Sequence, residues 1–214
     1  MILTVDIGNT IIAVGGFEGD MLAFVVRLAT NIKETSHEYA AKLDSILRLS
    51  DTETHSLTAA VISSVVPQLT GTIREALKIA FGIDALSVGP GVKTGINIHC
   101  DDPSSVGADL ICVSVAAAKK YGSPCIIVDM GTATTLTGLN ADGEVCGVVI
   151  IPGVGTSLDA LTSRAAQLSS VSLTAPPQVL GRNTMECIQS GMVFGTACML
   201  DGLCDRIEGE LGAP

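Results

Sequence analysis

The chain has 214 residues, with 12 Lys and Arg against 22 Asp and Glu, a formal net charge of −10 and a pI near 4.6. Nucleic acid and anionic membrane surfaces are therefore excluded as expected partners, since both need a basic face and the few cations here are scattered. Hydrophobic residues make up 47% and charged residues 16%, with mean hydropathy +0.51, which favours a packed core over disorder.

Ile2 to Val5 is a β-branched-rich run ending in Asp6, and Ile11 to Gly16 is a second apolar run beyond a tight Gly8-Asn9-Thr10 connection. With a Gly19-Asp20 turn and Leu22 to Leu28, they predict a three-stranded meander. Thr35 to Leu49 carries Tyr39, Leu43, Ile46 and Leu47 at helical spacing behind Thr35 and Ser36 as cap candidates. Ala59 to Val66 predicts a buried strand. Pro67 opens a helix that Gly82 ends after Phe81. Gly89 to Gly95 is a Gly- and Pro-rich loop. Ser104 or Ser105 is placed to cap a helix running to Tyr121, which Gly122 and Pro124 stop.

The opening pattern then recurs. Cys125 to Thr132 repeats Ile2 to Asn9, an apolar strand closing on Asp-x-Gly, at an offset of 123 residues that puts Thr134 on Ile11 and Ala141 to Glu144 over Glu18 to Met21. A repeated strand-turn-strand unit predicts an internally duplicated fold, with domains at 1–121 and 122–214. Thr156 to Gln167 and Asn183 to Glu208 predict helices, the second weakened by Gly191, Gly195 and Gly202.

An Asp-x-Gly turn sets a carboxylate beside backbone that a ligand can approach without meeting a Cβ. Mg2+ bound through one or two carboxylates, with turn amides on phosphate oxygens, suits such a place. One copy alone is more often an ordinary Asx turn with no ligand. Two copies in register point to a nucleotide phosphate chain held between two domains. Seven cysteines, an odd number without any Cys-x-x-Cys pair, read as reduced and mostly buried thiols. The uninterrupted apolar runs fall short of the ~20 residues that a bilayer span takes, and the N-terminus has no basic leader, so a cytoplasmic protein is expected. His37, His55 and His99 have no metal-ligand spacing and read as surface or loop residues.

The order and spacing of several motifs narrow this further. Asp6-Ile7-Gly8-Asn9-Thr10, Ser63-Ser64-Val65-Val66-Pro67, Gly89 to Gly95, Gly107-Ala108-Asp109, Asp129 to Thr135, Pro152-Gly153 and Gly181 to Glu186 together resemble the type III pantothenate kinases, within the actin, sugar-kinase and Hsp70 superfamily. The resemblance covers essentially the whole chain. It implies an α/β fold of duplicated actin-like (ribonuclease H-like) build with a nucleotide cleft between two domains, phosphorylation of pantothenate by ATP, and a cytoplasmic homodimer. By the same resemblance Asp6, Gly8, Asn9 and Thr10 form a first phosphate loop, with Asp6 also positioning magnesium, and Gly131 and Thr132 belong to a second. Asp129 would hold a monovalent cation, potassium or ammonium, and Asp109 would be the general base. Gly107, the loop residues Gly89, Gly91, Lys93, Thr94 and Gly95, and Thr184 would serve pantothenate, Thr184 reaching the molecule bound by the neighbouring subunit. A base fits the chemistry, because a primary alcohol must lose a proton as it attacks the γ-phosphorus. Taken singly, Asp109 could be a solvated helix acid, Lys93 an exposed loop lysine and Thr132 to Thr135 plain strand.

Three features depart from the pattern. Position 110 is Leu where the family usually has Arg, Ile11 stands where Asn is common, and the sequence stops before the Ala-Thr-Gly-Gly-type loop used against adenosine, so an incomplete second domain is expected. Two further readings follow: a kinase-like binding or regulatory protein of little activity, and a kinase of the same superfamily acting on another small polyol.

Overall fold

A computed structural model describes residues 1–50, 57–89, 91–103, 106–164 and 171–212. They fall into two units, one of residues 1–94 with 104–112, the other of 95–103 with 113–214.

In the first unit the apolar runs become β1 (Ile2–Ile7), β2 (Ile11–Glu18) and β3 (Met21–Ala29), an antiparallel meander turned at Gly19 with φ 59°. Alternation along β1 sends Leu3, Val5 and Ile7 inward. On its other edge β1 pairs in parallel with β4 (Ala59–Ser64), which pairs with β5 (Leu86–Ser87), giving the order β3-β2-β1-β4-β5. The intervening helices are α1 (Ser36–Leu49) and α2 (Pro67–Phe81).

Thr35 caps α1 through a capping box with Glu38. Those bonds from Thr35 hold the Glu38 carboxyl below its usual range. The predicted helix face is the buried one: Tyr39, Leu43 and Leu47 are fully buried, and Ile46 packs against them from its margin. Pro67 occupies the first turn of α2, and Gly82 ends that helix in the left-handed conformation at φ 69°. Leu69, Ile73, Ala76 and Leu77 of α2 join Leu43 and Leu47 of α1 over β1, β2 and β4 in one apolar cluster.

Helix α3 (Ala108–Tyr121) begins in the first unit and ends in the second. Its two cap candidates, Ser104 and Ser105, lie outside the described residues. The second unit continues with β6 (Cys125–Met130), β7 (Ala133–Leu139) and β8 (Val145–Pro152), an antiparallel sheet in that order. Helices α4 (Val154–Arg164) and α5 (Thr184–Leu211) follow. The predicted end of α4 at Gln167 lies outside the described residues. Asn183 caps α5, accepting a bond from the Glu186 amide.

One expectation needs correcting. None of the seven cysteines is buried: all are free, with Cys146, Cys187 and Cys198 exposed and the other four partly covered. Most of α5 packs against little, which leaves Cys187 and Cys198 in the open. By length and mean composition α5 is apolar enough to cross a bilayer, although Glu186, Gln189, Ser190 and Thr196 interrupt its apolar run and its last turns carry Asp201, Asp205, Arg206, Glu208 and Glu210.

Candidate functional site

Both Asp-x-Gly turns are built by the same hairpin. In the first, Asp6 stands exposed near the end of β1, the Gly8 amide donates to the Ile11 carbonyl at 3.0 Å, and the Thr10 carbonyl accepts from the Thr30 amide at 2.9 Å. In the second, Asp129 stands exposed near the end of β6, the Gly131 amide donates to the Ala133 carbonyl at 2.9 Å, and the Thr132 carbonyl accepts from the Gly153 amide at 3.0 Å. The repeat reaches past the turn. A bulge falls after Gly16 in one hairpin and after Gly138 in the other, leaving Ala23 and Cys146 as the extra residues on the facing strands.

The register differs from the sequence alignment by one residue. Four residues separate the paired Ile7 and Ile12, but three separate Met130 and Thr134, so Ala133 and not Thr134 matches Ile11. Thr132 then matches Thr10, and Asn9 has no counterpart. A motif alignment that admits no gap cannot register a turn one residue tighter.

Gly153 is what the tighter turn requires. A Cβ there would overlap the carbonyl oxygen of Gly131 and stand 2.6 Å from that of Thr132. Thr156, in the first turn of α4, also donates its hydroxyl to the Thr132 carbonyl at 2.8 Å. Opposite Asp129 in the β6–β7 register is Thr135, whose buried hydroxyl has no hydrogen-bond partner.

Around the first turn the fold gathers residues far apart in sequence. Ser63 is the β4 neighbour of Asp6 and donates its hydroxyl to Asp6 Oδ1 at 3.0 Å. Asp109 lies in the first turn of α3, half-buried, its Oδ1 accepting the Leu110 amide at 2.7 Å. Gly107 makes room for it: a Cβ at 107 would overlap that carboxylate. The Cys112 thiol completes the group. Burial pushes its pKa up, a hydrogen bond with Ser63 opposes this, and the Asp6 and Asp109 carboxylates push it up again. Cys112 and the role of Ser63 were not predicted, and no periodicity could have shown them, because their meeting depends on the parallel pairing of β1 with β4.

The predicted substrate residues are more dispersed. In the loop after β5 the Val92 amide bonds the Gly89 carbonyl at 3.1 Å, Gly91 and Gly95 take φ of 89° and 80°, and Lys93 is exposed. The Thr94 side chain is partly covered, and Thr184 is the exposed first residue of α5. His99 proves to have a partner. Its Nε2 meets Glu144 Oε2 at 2.8 Å, while Asn97 and Asn140 donate to the same carboxylate at 3.0 and 3.1 Å, and all three bonds hold the Glu144 carboxyl below its usual range. The Ile98 to Val145 bridge lies inside that clasp. His37 is exposed, and His55 lies outside the described residues. Under the C-terminal end of α5 a cavity of ≈ 400 Å³, lined by Leu136, Gly138, Val149, Ile207 and Leu211 among others, contains none of the predicted site residues.

The family model for type III pantothenate kinase matches residues 2–206. The chain belongs to the type III pantothenate kinase family. Type III pantothenate kinases of Shouchella clausii and Geotalea daltonii are 41% and 40% identical to it over 211 and 210 residues, 98% of this chain and 82% of each relative. That of Myxococcus xanthus is 39% identical over 214 residues, all of this chain and 84% of the relative. Among solved structures, a Baf family protein from Campylobacter jejuni aligns with TM-score 0.55 at 20% identity, over 94% of this chain and 78% of its own. Component A of (R)-2-hydroxyglutaryl-CoA dehydratase from Acidaminococcus fermentans aligns with TM-score 0.50 at 12% identity, over 100% and 89%. These likenesses give the pantothenate kinase chain the expected α/β fold of the actin-like ATPases and sugar kinases.

Proposed function

We propose that this chain carries out the reaction for which its family is named, transferring the γ-phosphoryl group of ATP to the primary alcohol of pantothenate to yield 4'-phosphopantothenate and ADP, the first step of coenzyme A biosynthesis. The family match over residues 2–206 carries this reading. The meeting of Asp6, Ser63, Asp109 and Cys112 supports it, because phosphoryl transfer asks for a carboxylate at the phosphates and a base at the nucleophile.

Asp109 is the base in this reading. Its Oδ1 is engaged by the Leu110 amide, so Oδ2 takes the alcohol proton as the oxygen bonds to phosphorus and the bond to ADP breaks. Asp6 offers a hard oxygen donor at an exposed turn, which fits Mg2+. Among the described residues no group of three or more His, Cys, Asp and Glu could hold a metal, and Mg2+ needs only one or two carboxylates besides phosphate and water. When bound, Mg2+ neutralises charge on the transferring phosphates. Gly8, Asn9 and Thr10 line that turn, and Gly131 and Thr132 line the second. Asp129, with the unpartnered Thr135 hydroxyl opposite, offers oxygens to a monovalent cation such as potassium or ammonium.

The loop residues Gly89, Gly91, Lys93, Thr94 and Gly95, with Gly107 and Thr184, are assigned to pantothenate. We read the protein as a cytoplasmic homodimer whose contact includes the α5 stripe of Met192, Phe194, Met199 and Leu200, of which Met199 is 39% exposed. We expect neither nucleic acid nor membrane as a partner for a chain of net charge −10. The test incubates the purified chain with ATP, Mg2+ and K+, with and without pantothenate, and identifies products by mass. Pantothenate-dependent 4'-phosphopantothenate is expected, and a folded protein that phosphorylates other small polyols but not pantothenate would overturn the substrate assignment.

A further inference from the structure

The two serines at the end of β4 have separate partners. Ser64 closes the turn into α2, its Oγ bonding the Val66 carbonyl at 3.2 Å, the Val66 amide at 3.1 Å and the Thr70 hydroxyl at 2.9 Å. Ser63, only 8% exposed, points to Asp6 instead.

We propose that Ser63 is a positioning residue for phosphoryl transfer, its buried hydroxyl fixing the Asp6 carboxylate at the phosphate turn. An exposed carboxylate at a strand end rotates readily, whereas a donor held inside the sheet fixes the direction of one oxygen. Losing a group that orients a metal-facing carboxylate in this way typically weakens metal binding by roughly 10- to 100-fold. The inference rests on the reading of Asp6 as the magnesium and phosphate residue. Nothing in the motif spacing separates Ser63 from Ser64, since adjacent serines look alike until the strand pairing shows which one faces Asp6.

The experiment is steady-state kinetics against Mg2+ and ATP for the wild type and the Ser63→Ala, Ser63→Cys, Ser63→Thr, Ser64→Ala and Asp6→Asn variants, with melting temperatures alongside. Ser63→Ala is expected to raise the Mg2+ midpoint and the KM for MgATP roughly 10- to 100-fold, the usual effect of losing such a partner, with the KM for pantothenate unchanged. Ser63→Thr keeps the hydroxyl and recovers most of that loss. Ser63→Cys fills the same space with a weaker donor and shifts the midpoint the same way by a smaller factor, which keeps the proposal testable if Ser63→Ala fails to fold. Ser64→Ala melts lower with its Mg2+ midpoint unchanged. Wild-type Mg2+ and ATP dependence in Ser63→Ala, or in Ser63→Cys where Ser63→Ala does not fold, would overturn the inference while leaving Asp6 in its role. An Asp6→Asn variant with wild-type Mg2+ dependence would instead remove the reading on which it rests.

Discussion

The two halves of this chain share a hairpin and differ in what backs it. In the first unit β1 lies inside a five-stranded sheet, and α1 and α2 seal its face with Leu43, Leu47, Leu69, Ile73 and Leu77. In the second, β6 is the edge of a three-stranded sheet, Val128 and Met130 are exposed, and the buried residues of the 28-residue α5 are Gln189 and Ser190 among those described. Yet the turn, the carbonyl bond that ties it to the third strand and the bulge beyond it recur in both. The carbonyl bond and the bulge of this hairpin thus recur whatever the size of the core behind it.

Substituting the paired carboxylates is the strongest way to break that comparison. Asp6→Asn and Asp129→Asn should each lower kcat/KM by roughly 10²–10³, as loss of one preorganised electrostatic contact does. The first should be partly rescued by Mg2+ and the second by K+ or ammonium. Rescue of both by the same ion would erase the assigned difference between the turns.

Core truncation comes next. Leu43→Ala, in the sealed unit, should cost about 2–5 kcal/mol by denaturant unfolding. Leu158, 8% exposed in α4, should cost less when cut to Ala, because its surroundings are looser. Equal losses would mean that the two units are equally well packed. Gly153→Ala sharpens the contrast at the turns, since its Cβ has nowhere to go; a loss of about 1–3 kcal/mol is expected from overpacking. Gly8→Ala meets the Ile11 carbonyl at 3.0 Å and should be milder, which thermal melts would settle.

The smallest effect belongs to the Glu144 clasp. Its depressed carboxyl contributes stability above the ordinary glutamate range and loses it as pH falls through the folded value. Glu144→Gln should therefore melt slightly below wild type at neutral pH, with the gap closing in acid. A gap that widens in acid would reverse the sign.

Much of the fold was legible because its signals are local. Pro67 and Gly82 bound α2, Thr35 caps α1, and the Asp-x-Gly repeat announced the duplicated hairpin. What could not be read required tertiary pairing. Ser63 reaches Asp6 only because β4 runs parallel to β1, and His99 finds Glu144 only because Ile98 bridges to Val145. The shorter second turn escaped a motif alignment for the same reason, since the Gly153 amide that bonds the Thr132 carbonyl lies beyond β8. Buried cysteines were expected from composition, which has no knowledge of how little covers α5.

The most direct test of the central claim compares wild type with Asp109→Asn in a single turnover, with ATP binding followed separately. The account predicts unchanged ATP affinity and a loss of roughly 10²–10⁴ in the rate of 4'-phosphopantothenate formation, the size of a general-base contribution. Product formation by Asp109→Asn at the wild-type rate would contradict it.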